Sequence, residues 1–386
     1  MLNFKSVIAL FALVFGFYAQ AQNMGAFLDR RGHFFIYDNG VVSKHEFLPI
    51  KFFKVGGDCV VYENIKGEYI VYGNGNSQRF TAFTNPDQLQ FSENFMLTRM
   101  AGLLTVITNS QAKTISLRNR VEVAGGNESI DVYDRNRNKF LTQSLDDGSF
   151  AFGDRTIAFV DYDDRFKIFE GKENKEIEFD PPLSYAVSDD MVAYIDETNQ
   201  LKLYSEGQTE IIFNDFVNYR VGNSYLFYVD DSYQLVYVDA KTLEKKNLAE
   251  DVLDYIVGDN VFAFLDYYDA FFVVENGEAI ELFDYPPDNY AYYGDMLYYE
   301  DAQGISHVRY KGEDFPLEVY PLNRVQFYDD IVVYIDREGY LKGVYEGVPF
   351  HLTNEQVTQF DLQFRVIVYQ TGNQDFHIFH DGKVVY

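Results

Sequence analysis

An aromatic or apolar residue returns through this chain about every 35 residues, and that recurrence restricts the fold more than any other feature. Aligned two places before a turn-forming position, the series runs Phe27, Tyr62, Leu97, Val132, Phe159, Tyr194, Tyr228, Phe264, Tyr299, Tyr334 and Tyr369. The intervals are 35, 35, 35, 27, 35, 34, 36, 35, 35 and 35. A fixed period of roughly 20–50 residues marks a repeat architecture, in which each unit buries its apolar face against the next. Two residues after the anchor stand Asp29, Asn64, Asp134, Asp161, Asp196, Asp230, Asp266, Asp301 and Asp336, with Arg99 and Thr371 as exceptions. Asp and Asn bond their own backbone two residues on, so these positions predict turns.

Each unit reads as four short strands joined by hairpins. Met191 to Ile195, Val261 to Leu265 and Ile331 to Ile335 are unbroken apolar runs. A strand of that kind is covered on both faces. The following strand is more mixed, as in Phe166-Lys167-Ile168-Phe169-Glu170, and belongs further out. Upstream, segments such as Tyr219-Arg220-Val221-Gly222-Asn223 read as a short strand ending in a tight turn. No segment holds a helical period. The expectation is an all-β protein, a β-propeller of about 10–11 short antiparallel blades. Two arrangements stay open: a single large ring or arc, or two fused propellers divided at the short interval into 22–144 and 145–386. The first unit lacks an opening strand.

Residues 1–21 read as a signal peptide, with Lys5, an apolar run from Val7 to Tyr18, and Ala19-Gln20-Ala21 as the cleavage motif. Export to the periplasm follows, with the repeats occupying 22–386 and no membrane anchor expected. The net charge of −28 opposes nucleic-acid binding. The single Cys59 opposes a disulfide scaffold or a cysteine metal site and reads as a buried small hydrophobe.

The run Thr156-Ile157-Ala158-Phe159-Val160-Asp161 followed by Phe166-Lys167-Ile168-Phe169 resembles the WD40-like repeats of TolB-type periplasmic propellers. The Tyr-x-Asp pattern is similar to that of YWTD propellers. The chain has no Trp and lacks the Trp-Ser-Pro-Asp-Gly turn, so no functional residue carries over from either family. The signal peptide, the 32 Tyr and 36 Phe, and the acidic balance together resemble exported proteins of Bacteroidota-type bacteria. That resemblance implies a partner in an outer-membrane secretion machine, including the plug of the type 9 translocon.

No catalytic constellation is legible. The turn Asp series reads as structural because it sits at equivalent hairpins. The alternative is a glycan hydrolase or lyase using acids near the axis. Asp134-Arg135-Asn136-Arg137-Asn138 starts like a calcium loop, but Lys139 replaces the required Gly, and two Arg oppose a cation. Asp161-Tyr162-Asp163-Asp164 likewise reads as a solvated turn. The six His form no metal pair, and His377 and His380 are offset to opposite faces of a strand. No metal and no cofactor is expected. The candidate partner-binding residues are Asp266, Tyr267, Tyr268, Asp269, Tyr285 and Tyr290, since Tyr in acidic turns offers contact area at low entropic cost. The expected protein is a non-enzymatic propeller that binds a protein partner, an outer-membrane translocon or barrel complex.

Overall fold

The computed structural model describes residues 24–386, except 57–58, 74, 81–88, 92–94, 101–102, 109–112, 118–127, 134–138, 154–155, 162, 171–172, 189–190, 215, 259–261, 276, 321 and 323. Between 81 and 150 it describes strand backbone alone. The signal-peptide reading and the Asp134 loop therefore lie outside the described residues. Among the described residues every regular element is a strand, and each pairs antiparallel with its neighbour in sequence.

One blade shows why the sequence folds this way. Ser184–Val187, Met191–Ile195, Leu201–Ser205 and Gln208–Phe213 form a four-stranded sheet in chain order. Burial falls from the second strand outward. Met191 to Tyr194 are buried, Leu201–Ser205 is buried at Leu201, Leu203 and Tyr204, and Gln208 to Ile211 are exposed. The unbroken apolar strand thus lies between two neighbouring blades, and the polar strand faces water. Each fully buried Leu, Val, Phe or Met side chain contributes roughly 1.5–3 kcal/mol of transfer free energy. Glu206 and Gly207, at φ 49° and 84°, make the two-residue hairpin before the outermost strand. Positive φ at both places gives the turn a twist that matches the strands.

Six such four-stranded sheets run from 184 to 384, and another spans 52–80. A nine-stranded sheet runs from Leu89–Phe91 to Glu173–Glu178. Its first four and last four strands each make one four-stranded blade, the latter opening on the long Lys139–Phe152, and Glu128–Tyr133 lies between them. With the three-stranded sheet of Met24–Leu28, Phe34–Asp38 and Val41–Glu46, the count is ten blades, numbered here in chain order. Val132, which continued the register as an eleventh unit, falls on the intervening strand. All nine anchors outside the backbone-only stretch, from Phe27 to Tyr369, are buried on a second strand or, in blade 1, on its equivalent.

Strand alternation puts the Asp and Asn turns and the connections between blades at one end of the molecule, here termed the Asx face. The other two sets of hairpins lie at the opposite end. Successive blades bury shared apolar clusters, and blade 10 meets blade 1 through Phe27, Tyr37, Val366, Val368 and Ile378. Among the described residues Met24–Leu28 has no inner partner strand. Gln363 of blade 10 covers part of that edge with its side chain. Ala26 N–H donates to Gln363 Oε1 at 2.7 Å, and Gln363 Nε2 donates to the Ala26 carbonyl at 3.0 Å. The Tyr37 hydroxyl and His380 Nδ1 lie 2.8 Å apart across the same seam. The chain end, Lys383–Val384, pairs with Phe376–His380 and not with the first strand.

Candidate protein-binding face

The Asx face is built from one turn used eight times. In Asp29, Asn64, Asp161, Asp196, Asp230, Asp266, Asp301 and Asp336, Oδ1 accepts backbone N–H groups from positions two and four residues on, at 2.8–3.0 Å. The turn reading of this series is what the geometry shows. Thr371 keeps the backbone turn without the side-chain cap, through its carbonyl and Gln374 N–H at 2.7 Å. Position three of the turn takes positive φ. Gly fills it at Gly32, Gly67, Gly304 and Gly339, but Tyr233 holds φ 60° and Asp269 holds φ 64°. A bulky residue in that region bears a steric cost of roughly 1–2 kcal/mol.

The second carboxylate oxygen divides the blades into two kinds. In blades 4, 5, 8 and 9 it meets a basic side chain six residues on: Lys167, Lys202 at 3.0 Å, His307 at 3.1 Å and Lys342 at 2.8 Å. In blade 1 Asp29 meets His33 at 2.8 Å. Lys202 also reaches Glu178 of the preceding blade at 2.6 Å, and Lys342 reaches Glu318 at 3.1 Å. Burial alone would raise the Asp196 and Asp336 carboxyls. The turn N–H groups and the lysine ammonium outweigh it and hold both below the ordinary range. Hydrogen bonding to Asp336 in turn raises Lys342.

In blades 2, 6 and 7 the sixth position is apolar: Ile70, Val236 and Phe272. Blade 2 answers this with the neutral Asn64. Blades 6 and 7 keep Asp230 and Asp266, and no cation of the chain pairs with either among the described residues.

Exposed apolar groups stand at these two turns, as they do elsewhere on the face at Phe47, Leu48, Ile65, Phe179, Leu183 and Val319. Tyr267 is 65% exposed, Tyr268 82%, Tyr233 59% and Leu253 56%. Outside the turn positions themselves, Asp231, Glu250, Asp251, Asp269, Asp284 and Asp288 are exposed carboxylates on the same face. From 179 to 305 the turns and connections of this face contain no Lys or Arg. The same face of blades 1, 2, 4 and 9 carries Arg30, Arg31, Lys66, Arg165 and Arg337.

Of the residues singled out from sequence, Asp266, Tyr267, Tyr268 and Asp269 form one turn, with the two Tyr rings edge to face at 5.7 Å. Tyr285 lies in the next connection on the same face and stacks on Phe283 at 5.1 Å. Tyr290 is the second residue of the innermost strand of blade 8, Asn289–Tyr293. It packs on Phe271 and donates its hydroxyl to Asp254 of blade 7 at 2.7 Å. Burial and the Asp254 charge push that phenol upward. The sequence reading passed over Tyr233, Leu253 and the Lys at turn-plus-six. The spacing Asp161–Lys167, Asp196–Lys202 and Asp336–Lys342 was the signal available for the last.

The axial-acid alternative would draw on carboxylates of the innermost strands. Those strands carry Asp254 and Asp361, three blades apart, and that of blade 4 carries Asp146 and Asp147. Asp254 accepts from Tyr290, and Asp361 accepts from Gln363. Among the described residues no group of three or more His, Cys, Asp and Glu is placed to hold a metal ion. Cys59 is buried in a second strand. A groove of about 390 Å³ opens between blades 9 and 10, beside Arg324, Gln326, Thr358 and Phe360, away from the Tyr-rich turns.

A family model described as a 10-bladed beta propeller domain matches residues 18–141, 118–250 and 213–385. Overlapping matches are what a repeat produces, because one run of blades aligns with another. No curated protein matches the sequence. Among solved structures the chain is similar to the computationally designed Ika8 protein, at 11% identity and TM-score 0.32, over 74% of this chain and 95% of that one. It is also similar to BamB from Moraxella catarrhalis, at 13% identity and TM-score 0.31, over 75% and 92% of the two chains. Human WBSCR16 matches at 10% identity and TM-score 0.31, over 54% and 78%.

Proposed function

This chain belongs to the 10-bladed beta propeller domain family, and on that premise we propose that it is a non-enzymatic, exported binding protein that docks a protein partner on its Asx face. The observation that carries the reading is the gathering of exposed Tyr and Leu side chains at one end of the molecule. Scattered exposed apolar groups are ordinary, but a group of them on rigid turns marks an interaction surface. The turns are rigid because each is pinned by two side-chain-to-backbone bonds, so little conformational entropy remains to be lost on docking. Asp266, Tyr267, Tyr268 and Asp269 are its centre in this reading, with Tyr285 beside them and Tyr290 setting the angle between blades 7 and 8.

The more specific form of the proposal is a periplasmic accessory or plug-like subunit of an outer-membrane secretion or translocation complex. The signal-peptide pattern of residues 1–21 supports export, and the acidic chain disfavours adsorption to anionic lipid. The test is affinity purification from detergent-solubilised envelopes at low and moderate salt. Wild type is expected to retain outer-membrane proteins in both, and Tyr267→Ser/Tyr268→Ser to lose them. Recovery of the bait alone, or identical recovery with the variant, overturns the reading.

A further inference from the structure

We propose that the apolar patch over blades 6 and 7 receives a polypeptide segment bearing Lys or Arg beside apolar side chains, whose cations pair with Asp230 and Asp266. This rests on the reading above that the Asx face binds protein. The patch is Tyr233, Leu253, Tyr267 and Tyr268, all more than half exposed. Its surroundings select the occupant. Elsewhere on the face the turn carboxylate has a basic partner from its own chain, or is replaced by Asn where none is available. Asn64 shows that the turn itself does not need a charge, since its Oδ1 accepts the same two N–H groups at 3.0 Å. Blades 6 and 7 nevertheless keep the carboxylate, with an apolar residue where the cation would stand. The turns and connections around them add exposed acids and no Lys or Arg. An Arg or Lys entering here meets complementary charge and Tyr rings on which a guanidinium can stack. A second copy of this chain would bring a molecule of net charge −28 against acidic turns, and an anionic membrane would be repelled.

The test uses the full chain and a fluorescein-labelled synthetic peptide of alternating Arg and Leu, with a Glu-for-Arg peptide as its counterpart. Anisotropy titrations are run at about 50 and about 300 mM NaCl. The Arg peptide is expected to bind wild type and to weaken with salt. Asp230→Asn/Asp266→Asn should weaken it about fivefold or more, and Tyr267→Ser/Tyr268→Ser by a similar factor. Glu210→Gln/Glu281→Gln removes the same charge from outer strands and should change affinity by less than about twofold. Equal loss in that control, or equal binding of the Glu peptide, overturns the proposal. So does a dimer dispersed by the Asp230/Asp266 variant, or a calcium-dependent rise in melting temperature that the variant abolishes. The two readings fail separately. If envelope proteins are lost with the Tyr variant but retained with the Asn variant, docking survives and cation pairing does not.

Discussion

Blades 5 and 9 and blades 6 and 7 share one backbone and use opposite chemistry at their seams. In blades 5 and 9 a Glu ends the outer strand of the preceding blade, a Lys sits at turn-plus-six, and the turn Asp completes a three-charge bridge. At the equivalent places before and in blade 6 stand Phe213 and Val236, and for blade 7 Ala249 and Phe272. The register makes these positions strictly comparable: Glu178, Phe213, Ala249 and Glu318 each pair with the first residue of their third strand. Phe213 stacks on Tyr228 at 5.0 Å, and Phe227 on Phe262 at 3.8 Å. The backbone therefore fixes the turn residue but not how its charge is answered. A repeat can satisfy that charge internally or leave it turned outward.

The comparison can be broken most sharply at the aromatic seam. Phe262→Ala removes a fully buried ring and should lower stability by about 3–5 kcal/mol, read as the urea midpoint. A loss under about 1 kcal/mol would mean that stacking does not hold blades 6 and 7 together. Next comes Lys202→Met, which leaves Glu178 and Asp196 facing each other without a cation. It should cost about 1–3 kcal/mol at pH 7. The pH dependence has a definite sign. Asp196 is held below its ordinary value of 3.8, so its contribution is present above that pH and lost as pH falls through the lowered value. The gap between wild type and Lys202→Met should therefore close below about pH 4. The smallest effect is expected for Asp230→Asn and Asp266→Asn, within about 0.5 kcal/mol of wild type. Asp196→Asn should cost about 1 kcal/mol, because Lys202 loses a partner. Equal costs for the two kinds of Asp would erase the distinction between the blades.

The repeat, the covered second strand and the turn Asp were readable because each repeats locally, within one hairpin. Contacts between blades were not, since they join residues such as Tyr194 and Glu178 that no local pattern links. Tyr290 illustrates the limit. Its neighbours Asp288 and Pro287 suggested an exposed turn, yet its hydroxyl is engaged by Asp254 of the adjacent blade. Tyr267 and Tyr268 were legible as exposed because they occupy the outermost places of a turn whose Asp was already identified. Val132 kept the register but not the architecture, because pairing on both sides placed its strand within a longer sheet.

The Gln363 side chain at the seam between the last blade and the first stands in for a single rung of a ladder. A rung supplied by a side chain releases as soon as the two blades part, without any strand having to unzip. The amide proton of Ala26 is thus placed to exchange with solvent by a breathing motion of the ring, on a timescale independent of global unfolding.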